Sequence, residues 1–440
     1  MSSWVGVAVA VPTAAYALVS QRLAATPVSG PMVFVGVGLG IGPLGLDLLT
    51  LDRDPELLLG LLELTLVLVL FTDAQRVRVA SLRRDEFLPL RLLAIGLPLT
   101  IGLGWLLAWP LLPGLSVWEL ALVGIVLAPT DGALGLAAIS NRGVPALVRE
   151  GLNVESGLND GMALPFFVLA LAATVEGEGG AGPVDVFIRA LLLSAAIGVV
   201  VGGFGGRFLL AARAREWIDE TWQQLFVVIV ALLGYALALV VEGSGFIAAW
   251  AAGLSFAAAI RSRTPTEARL VRHTAEFSES LATLLTALSF LVFGAVLLGP
   301  ALQHLEWRVV VYALLSLTVI RLLPVQLALS RSGLKLPTVG YIGWFGPRGL
   351  ASIVLGLLVA EAGAPGADLV ADVIAVTVGI SVVAHGVSSG VLANRYASWY
   401  AKASARSAES HGAVLRETSS GEVPEQRQVR PGRSARSPDD

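Results

Sequence analysis

The sequence predicts an all-α membrane protein: about thirteen transmembrane helices in two six-helix repeats of opposite orientation, joined by a connector. Three observations predict it. Of 440 residues, 55% are hydrophobic and only 14% are charged, where a soluble chain carries about 25% charged residues. Thirteen apolar segments approach the roughly 20 residues that a helix needs to cross the hydrocarbon core. Arg and Lys concentrate on every second link between those segments, as their preference for the cytoplasmic side requires. This composition excludes a soluble cytosolic enzyme, a disordered scaffold and a nucleic-acid binder. The net charge of −3 gives no attraction to a polyanion, so no nucleic-acid partner is expected.

The segments are 4–21, 31–50, 56–73, 90–110, 117–140, 151–175, 184–210, 222–241, 244–260, 277–298, 309–330, 337–360 and 369–394. The first lacks the basic flank of a secretory signal and reads as a retained span. Glu242-Gly243-Ser244 barely separates the eighth from the ninth. Links after odd-numbered spans carry Arg22; Arg76, Arg78, Arg83, Arg84 and Arg91; Arg142 and Arg149; Arg213 and Arg215; Arg261, Arg263, Arg269 and Arg272; Arg331 and Lys335. Links after even-numbered spans are neutral or acidic, with Asp52, Asp54 and Glu56, then Glu176, Glu178 and Asp185, then Glu361 and Asp368. The N-terminus is therefore expected outside and the C-terminus in the cytoplasm. Spans 1–6 (4–175) and 8–13 (222–394) then run in opposite senses, with 184–210 as the connector. The transmembrane domain covers 1–397. From 398 to 440 the chain turns to Ser, Arg, Glu, Gln and Pro, and a disordered cytoplasmic tail is expected there.

Two spans are interrupted in matching places. Span 5 contains Ala128-Pro129-Thr130-Asp131-Gly132 and span 12 contains Gly346-Pro347-Arg348-Gly349. Each is the fifth of its six. Proline removes a donor and clashes with the preceding turn, and glycine frees the backbone. Paired interruptions of this kind mark the site in transporters built from inverted repeats. Asp131 would offset the positive field where half-helix N-termini meet, and Arg348 the negative field of C-termini.

Span 6 reads Asn153-Val154-Glu155-Ser156-Gly157-Leu158-Asn159-Asp160-Gly161. Ionisable groups inside a membrane helix are expensive and mark function. Ser156 and Asp160, four apart, share one face; Glu155 and Asn159 share the next. With Thr130 and Asp131 opposite, the oxygens of Asp160, Asp131, Thr130 and Ser156 suit a small hard cation such as sodium. Proton and cation would exclude each other at one carboxylate, which is the physical basis of cation/proton exchange. Glu155 is expected to pair with Arg348 and fasten span 6 to span 12. With no cysteine and four dispersed histidines (His273, His304, His385, His411), no zinc site is expected, and no cofactor or catalytic constellation.

These residues carry a resemblance. The chain resembles monovalent cation:proton antiporters of the branch holding NhaP-type and eukaryotic sodium/proton exchangers. Glu155-Ser156-Gly157-Leu158-Asn159-Asp160-Gly161 is its most specific element, with Thr130-Asp131, Gly346-Pro347-Arg348-Gly349 and His385-Gly386 in order around it. The resemblance implies crossed broken helices and Asp160 as the essential ion- and proton-binding carboxylate. It implies cation contacts from Thr130, Asp131 and Ser156, with Asn159 beside them, and a Glu155–Arg348 pair. Asn before the aspartate implies electroneutral one-for-one exchange. The family also implies a homodimer in the cell membrane and an elevator-like movement of a core against a dimerisation domain. One departure stands out: after Phe71 the family usually carries glutamate, whereas this chain reads Thr72-Asp73-Ala74. Asp73, Arg321 and His385 are accessory candidates, Arg321 and His385 chiefly as structural groups. Glu63 has no assigned role, and the ten tryptophans are expected as interface anchors. The expected activity is exchange of sodium or lithium for protons. The alternatives are potassium/proton exchange on the same fold, a sodium-coupled organic-solute symporter and a cation channel; the channel lacks a repeated filter loop.

Overall fold

The computed structural model describes residues 3–23, 26–50, 55–76, 87–176, 183–260 and 265–419. Asp52, Asp54, Arg78, Arg83, Arg84, Glu178, Arg261, Arg263 and residues 420–440 lie outside the described residues. The described chain is almost wholly helical and contains no strand. In order, the helices are α1 (Ser3–Leu23), α2 (Gly30–Ile41), α3 (Pro55–Arg76), α4 (Phe87–Arg91), α5 (Leu97–Leu111), α6 (Val117–Val126), α7 (Leu136–Ser140), α8 (Ala146–Glu176) and α9 (Pro183–Ala214). They continue with α10 (Glu220–Val240), α11 (Gly245–Ala259), α12 (Pro265–Phe293), α13 (Gly299–Gln303), α14 (Trp307–Leu317), α15 (Val319–Ala328), α16 (Leu336–Trp344), α17 (Leu350–Glu361) and α18 (Ala367–Ser419). A π turn at Leu92–Gly96 joins α4 to α5, and another at Gly294–Leu298 joins α12 to α13.

Among the described residues, nine helices are long and apolar enough to cross a membrane. Four shorter apolar helices, α2, α6, α11 and α17, overlap the remaining predicted segments. A helix satisfies its backbone internally, which hydrocarbon demands. The interruptions fall where the prolines and glycines predict them. α6 stops at Val126 and α7 begins at Leu136; α16 stops at Trp344 and α17 begins at Leu350.

The helices pack as two bundles. One holds α1–α3 and α9–α13; the other holds α4–α8 and α14–α18, so each draws on both halves of the chain. The first bundle closes on small residues. Gly198, Gly202 and Gly206 line α9 against α11, and a Cβ at Gly198 or Gly202 would run into the backbone at Ala248 or Ala252. Close backbone approach of this kind supplies the dispersion contact that holds helices together in lipid. α8, in the second bundle, meets α3, α9 and α11 of the first along a seam.

One correction concerns the tail. Residues 398–419, expected to be unstructured, continue α18 to Ser419. Their composition is polar, but alanines at 401, 403, 405 and 408 favour helix, and the next proline after the helix is Pro424.

Candidate functional site

The two breaks lie against each other and exchange charges. The Asp131 N–H donates to the Pro347 carbonyl at 2.9 Å. Asp131 Oδ2 accepts from the Leu350 N–H, the first residue of α17, at 3.0 Å, and Oδ1 accepts from Ala133 N–H at 2.7 Å. The carboxylate thus caps a helix N-terminus that Gly349 cannot cap itself, and it meets the positive end of the dipole. Arg348 does the reverse. Its guanidinium donates to the carbonyls of Ala128 (2.9 Å) and Pro129 (3.1 Å), just past the end of α6, and to Ser316 (3.3 Å) at the end of α14. Ser352 adds a bond to the Val126 carbonyl at 2.7 Å. The carbonyls that the first break deprives of helical partners are therefore answered by the second break.

α18 holds the second break from behind. The Arg348 N–H donates to Ser381 Oγ at 2.9 Å. His385 Nε2 lies 3.0 Å from the carbonyl of Trp344, the last residue of α16, and Nδ1 lies 3.2 Å from Ser381 Oγ. Nδ1 also lies 3.0 Å from the Ser381 carbonyl, so each ring nitrogen faces a backbone carbonyl. His385 is buried and clamps both sides of the break.

α8 brings its polar face to the first break. Ser156 Oγ donates to the Thr130 carbonyl at 2.9 Å, and Asn159 Nδ2 donates to Thr130 Oγ1 at 2.7 Å. Asn159 Oδ1 is buried and keeps a free lone pair. Thr130, Asp131, Gly132 and Ser156 line a small cleft with Leu152, Ile139, Phe345 and Pro347. Asp160, one turn beyond Ser156, is partly accessible, and among the described residues no hydrogen bond or ion pair holds its carboxylate. It interacts electrostatically with Asp131 and Asp73.

The expected Glu155–Arg348 pair is not made. Glu155 pairs with Arg321 of α15: Nη1 reaches Oε1 at 2.6 Å and Nη2 reaches Oε2 at 2.9 Å, a bidentate fork with both side chains buried. Arg348 instead gives its Nη groups to three backbone carbonyls. Arg321, placed among the accessory residues from the sequence, is the partner that reasoning about Glu155 missed. The signal was present as a charge inside a membrane span.

The departure after Phe71 also resolves locally. Thr72 is buried and its hydroxyl donates back to its own helix, at the Leu68 and Val69 carbonyls. Asp73 lies against Gly157 of α8, where a Cβ would sit 3.5 Å from the aspartate Cβ. Arg76 bridges Asp73 (3.1 Å) to Glu279 of α12 (3.3 Å). Glu63 stands apart from the cluster and accepts from the Tyr235 hydroxyl at 3.0 Å.

The sodium/hydrogen exchanger transmembrane family matches residues 7–395. The chain is 28% identical over 275 residues to Na(+)/H(+) antiporter 2 of Zygosaccharomyces rouxii, covering 57% of this chain and 32% of that protein. It is 27% identical over 323 residues to K(+)/H(+) antiporter NhaP2 of a Shewanella species (strain ANA-3), covering 70% and 52%. It thus spans about a third to a half of these relatives. The sodium proton antiporter MjNhaP1 of Methanocaldococcus jannaschii shares the fold, with a TM-score of 0.72 at 20% identity over 90% of this chain and 98% of that one. With residues 7–395 covered by one family, the chain belongs to the transmembrane sodium/hydrogen exchangers.

Proposed function

We propose that the protein is a secondary transporter that exchanges a monovalent cation, sodium or lithium, for a proton at Asp160. The observation that carries this is the contrast around Asp160: a carboxylate with no hydrogen-bond or ion-pair partner among the described residues, one turn from Ser156 on a face that also holds Asn159, whose Oδ1 is buried without a partner. Thr130, Asp131, Ser156 and Asn159 offer the cation carboxylate, hydroxyl, carbonyl and amide oxygens, the ligand set a hard cation takes. A proton on Asp160 removes the charge that holds the cation, so the two ions take turns. Asn159 carries no second titrating proton, which supports one-for-one, electroneutral exchange.

The cleft lies on the side of Ile139 and Leu152, toward the link that carries Arg142 and Arg149. By the distribution of basic residues that link is cytoplasmic, so the cleft opens inward, with the N-terminus outside and the C-terminus inside. Movement of the second bundle along the first would carry Asp160 to the other side. A homodimer in the plasma membrane is the expected assembly. The potassium reading is favoured by one observation, the alignment of 70% of this chain with a relative named for potassium/proton exchange. Proteoliposomes with a trapped pH dye test the proposal. Sodium or lithium added outside changes lumenal pH in wild type and not in Asp160→Asn. A response to potassium alone moves the assignment to potassium, and no response to any of the three ends it.

A further inference from the structure

The seam between the bundles passes beside Asp160, and one side chain there carries a polar atom that packing does not explain. At 100° per residue, the order of side chains around α8 is Ser156, Asp160, Gly157, Gly161, Val154, Leu158, Met162. Asp160 is therefore flanked by the oxygen-lined face on one side and by two glycines on the other. Gly157 lies against Asp73 of α3; Gly161 lies against Trp250 of α11, where a Cβ would overlap Cδ1 and Nε1 of the indole. The ring continues into an apolar collar of Val154, Leu158, Met162, Leu93 and Leu254. The indole Nε1 is buried and has no hydrogen-bond partner among the described residues.

A ring needed only to fill space would do so without an unpaired donor, since buried N–H groups are almost always paired and leaving one unpaired is costly. Gly161, the residue under the ring's polar edge, directly follows Asp160. Two glycines a turn apart leave α8 free of side-chain obstruction where it meets α3 and α11. Resting on the exchange proposed above, we infer that Trp250 is a positioning residue for the ion site. Its ring closes the side of Asp160 away from the cleft. As α8 shifts along the seam, its Nε1–H becomes the donor that the Asp160 carboxylate takes when it holds neither cation nor proton. The donor then competes with the cation for the bare carboxylate.

The test compares wild type, Trp250→Phe and Trp250→His in pH-dye proteoliposomes across a sodium titration. Phe keeps a ring over Gly161 and loses the N–H; His restores an N–H. Loss of the competing donor lowers the half-saturating sodium concentration about fivefold in Trp250→Phe, with the maximal rate within about twofold of wild type. Trp250→His returns toward wild type. An unchanged half-saturation in Trp250→Phe, or a fall in maximal rate alone, overturns the inference, as does Trp250→His matching Trp250→Phe. Gly161→Ala, which pushes the indole away without altering it, shifts half-saturation in the same direction and decides the matter if the ring variants do not accumulate. These results are read against wild-type exchange that is lost in Asp160→Asn. If wild type itself moves no protons, the exchange reading fails first and this inference fails with it.

Discussion

Glu155 and Asp160 are carboxylates five residues apart on one helix, and the fold treats them oppositely. Glu155 is 2% exposed, and both its oxygens are held by one guanidinium at 2.6 and 2.9 Å. Asp160, one turn from Ser156, is partly accessible, and among the described residues no hydrogen bond or ion pair holds it. The lesson is that burying a charge does not by itself make a site. A charge answered by a fixed partner becomes structure, and a charge left for a mobile partner becomes function. A buried pair offers stability only while both members remain, whereas an unpartnered acid must be neutralised by whatever arrives.

The largest effect that sharpens this contrast is at Asp160. Asp160→Asn keeps size and shape and removes the carboxylate at which cation and proton are proposed to take turns. Exchange in pH-dye proteoliposomes is expected to fall at least about 100-fold, to the level of empty vesicles. Accumulation stays near wild type, since no partner is left unpaired. Residual exchange within about tenfold of wild type would break the contrast and move the site to Asp131 or Asp73.

At Glu155 the expected damage is to stability. Glu155→Ala leaves Arg321 charged and buried, a loss of about 3–5 kcal/mol, and Arg321→Ala strands Glu155 by a similar amount. Fluorescence-detected thermal melts in detergent measure this. The double variant Glu155→Met/Arg321→Leu should recover much of the loss, because an apolar pair of similar volume often replaces a buried ion pair at little cost. Whatever accumulates should retain near-normal half-saturation. A stable Glu155→Ala protein with weakened cation affinity alone would place Glu155 in the ion site.

The sequence went far toward this picture and stopped at identifiable places. Pro129 and Pro347 fix the breaks because proline's effect on a helix is local, and Asp160 stands out because any ionisable group in an apolar span does. The Glu155 partner was not legible. Arg321 and Arg348 are both buried arginines, and which one reaches Glu155 depends on carbonyls that the breaks expose, a three-dimensional fact. The helical stretch 398–419 was hidden by composition, since a polar alanine-containing run reads equally as tail or helix. Trp250 was indistinguishable from nine other tryptophans until its ring was seen over Gly161.

A smaller effect tests the open side of the comparison. Ser156→Ala removes a hydroxyl oxygen and the bond to the Thr130 carbonyl at 2.9 Å. A net hydrogen bond is worth about 0.5–1.5 kcal/mol, so half-saturation by sodium should rise roughly three- to tenfold. The maximal rate should change little, and stability less than in Glu155→Ala. A rise in half-saturation without a loss of rate separates a cation contact from a packing contact.

The smallest change in rate, and the finest test, is Asn159→Asp. Asn159 donates to Thr130 Oγ1 at 2.7 Å, and its Oδ1 is already buried without a partner. An aspartate there keeps the shape and can accept from the Thr130 hydroxyl instead, so the fold should tolerate it. It also adds a second acid beside Asp160. If neutrality of Asn159 is what keeps exchange one-for-one, a cycle that titrates both acids carries net charge. Transport should then respond to a potassium-diffusion potential set with valinomycin, where wild type does not. The dye signal itself need change by no more than about twofold. Voltage independence retained in an active Asn159→Asp protein would show that Asp160 alone sets the stoichiometry. Two adjacent acids would then be no more equivalent than Glu155 and Asp160, because a carboxylate bonded to Thr130 would count as partnered and Asp160, without such a bond, would still do the exchange.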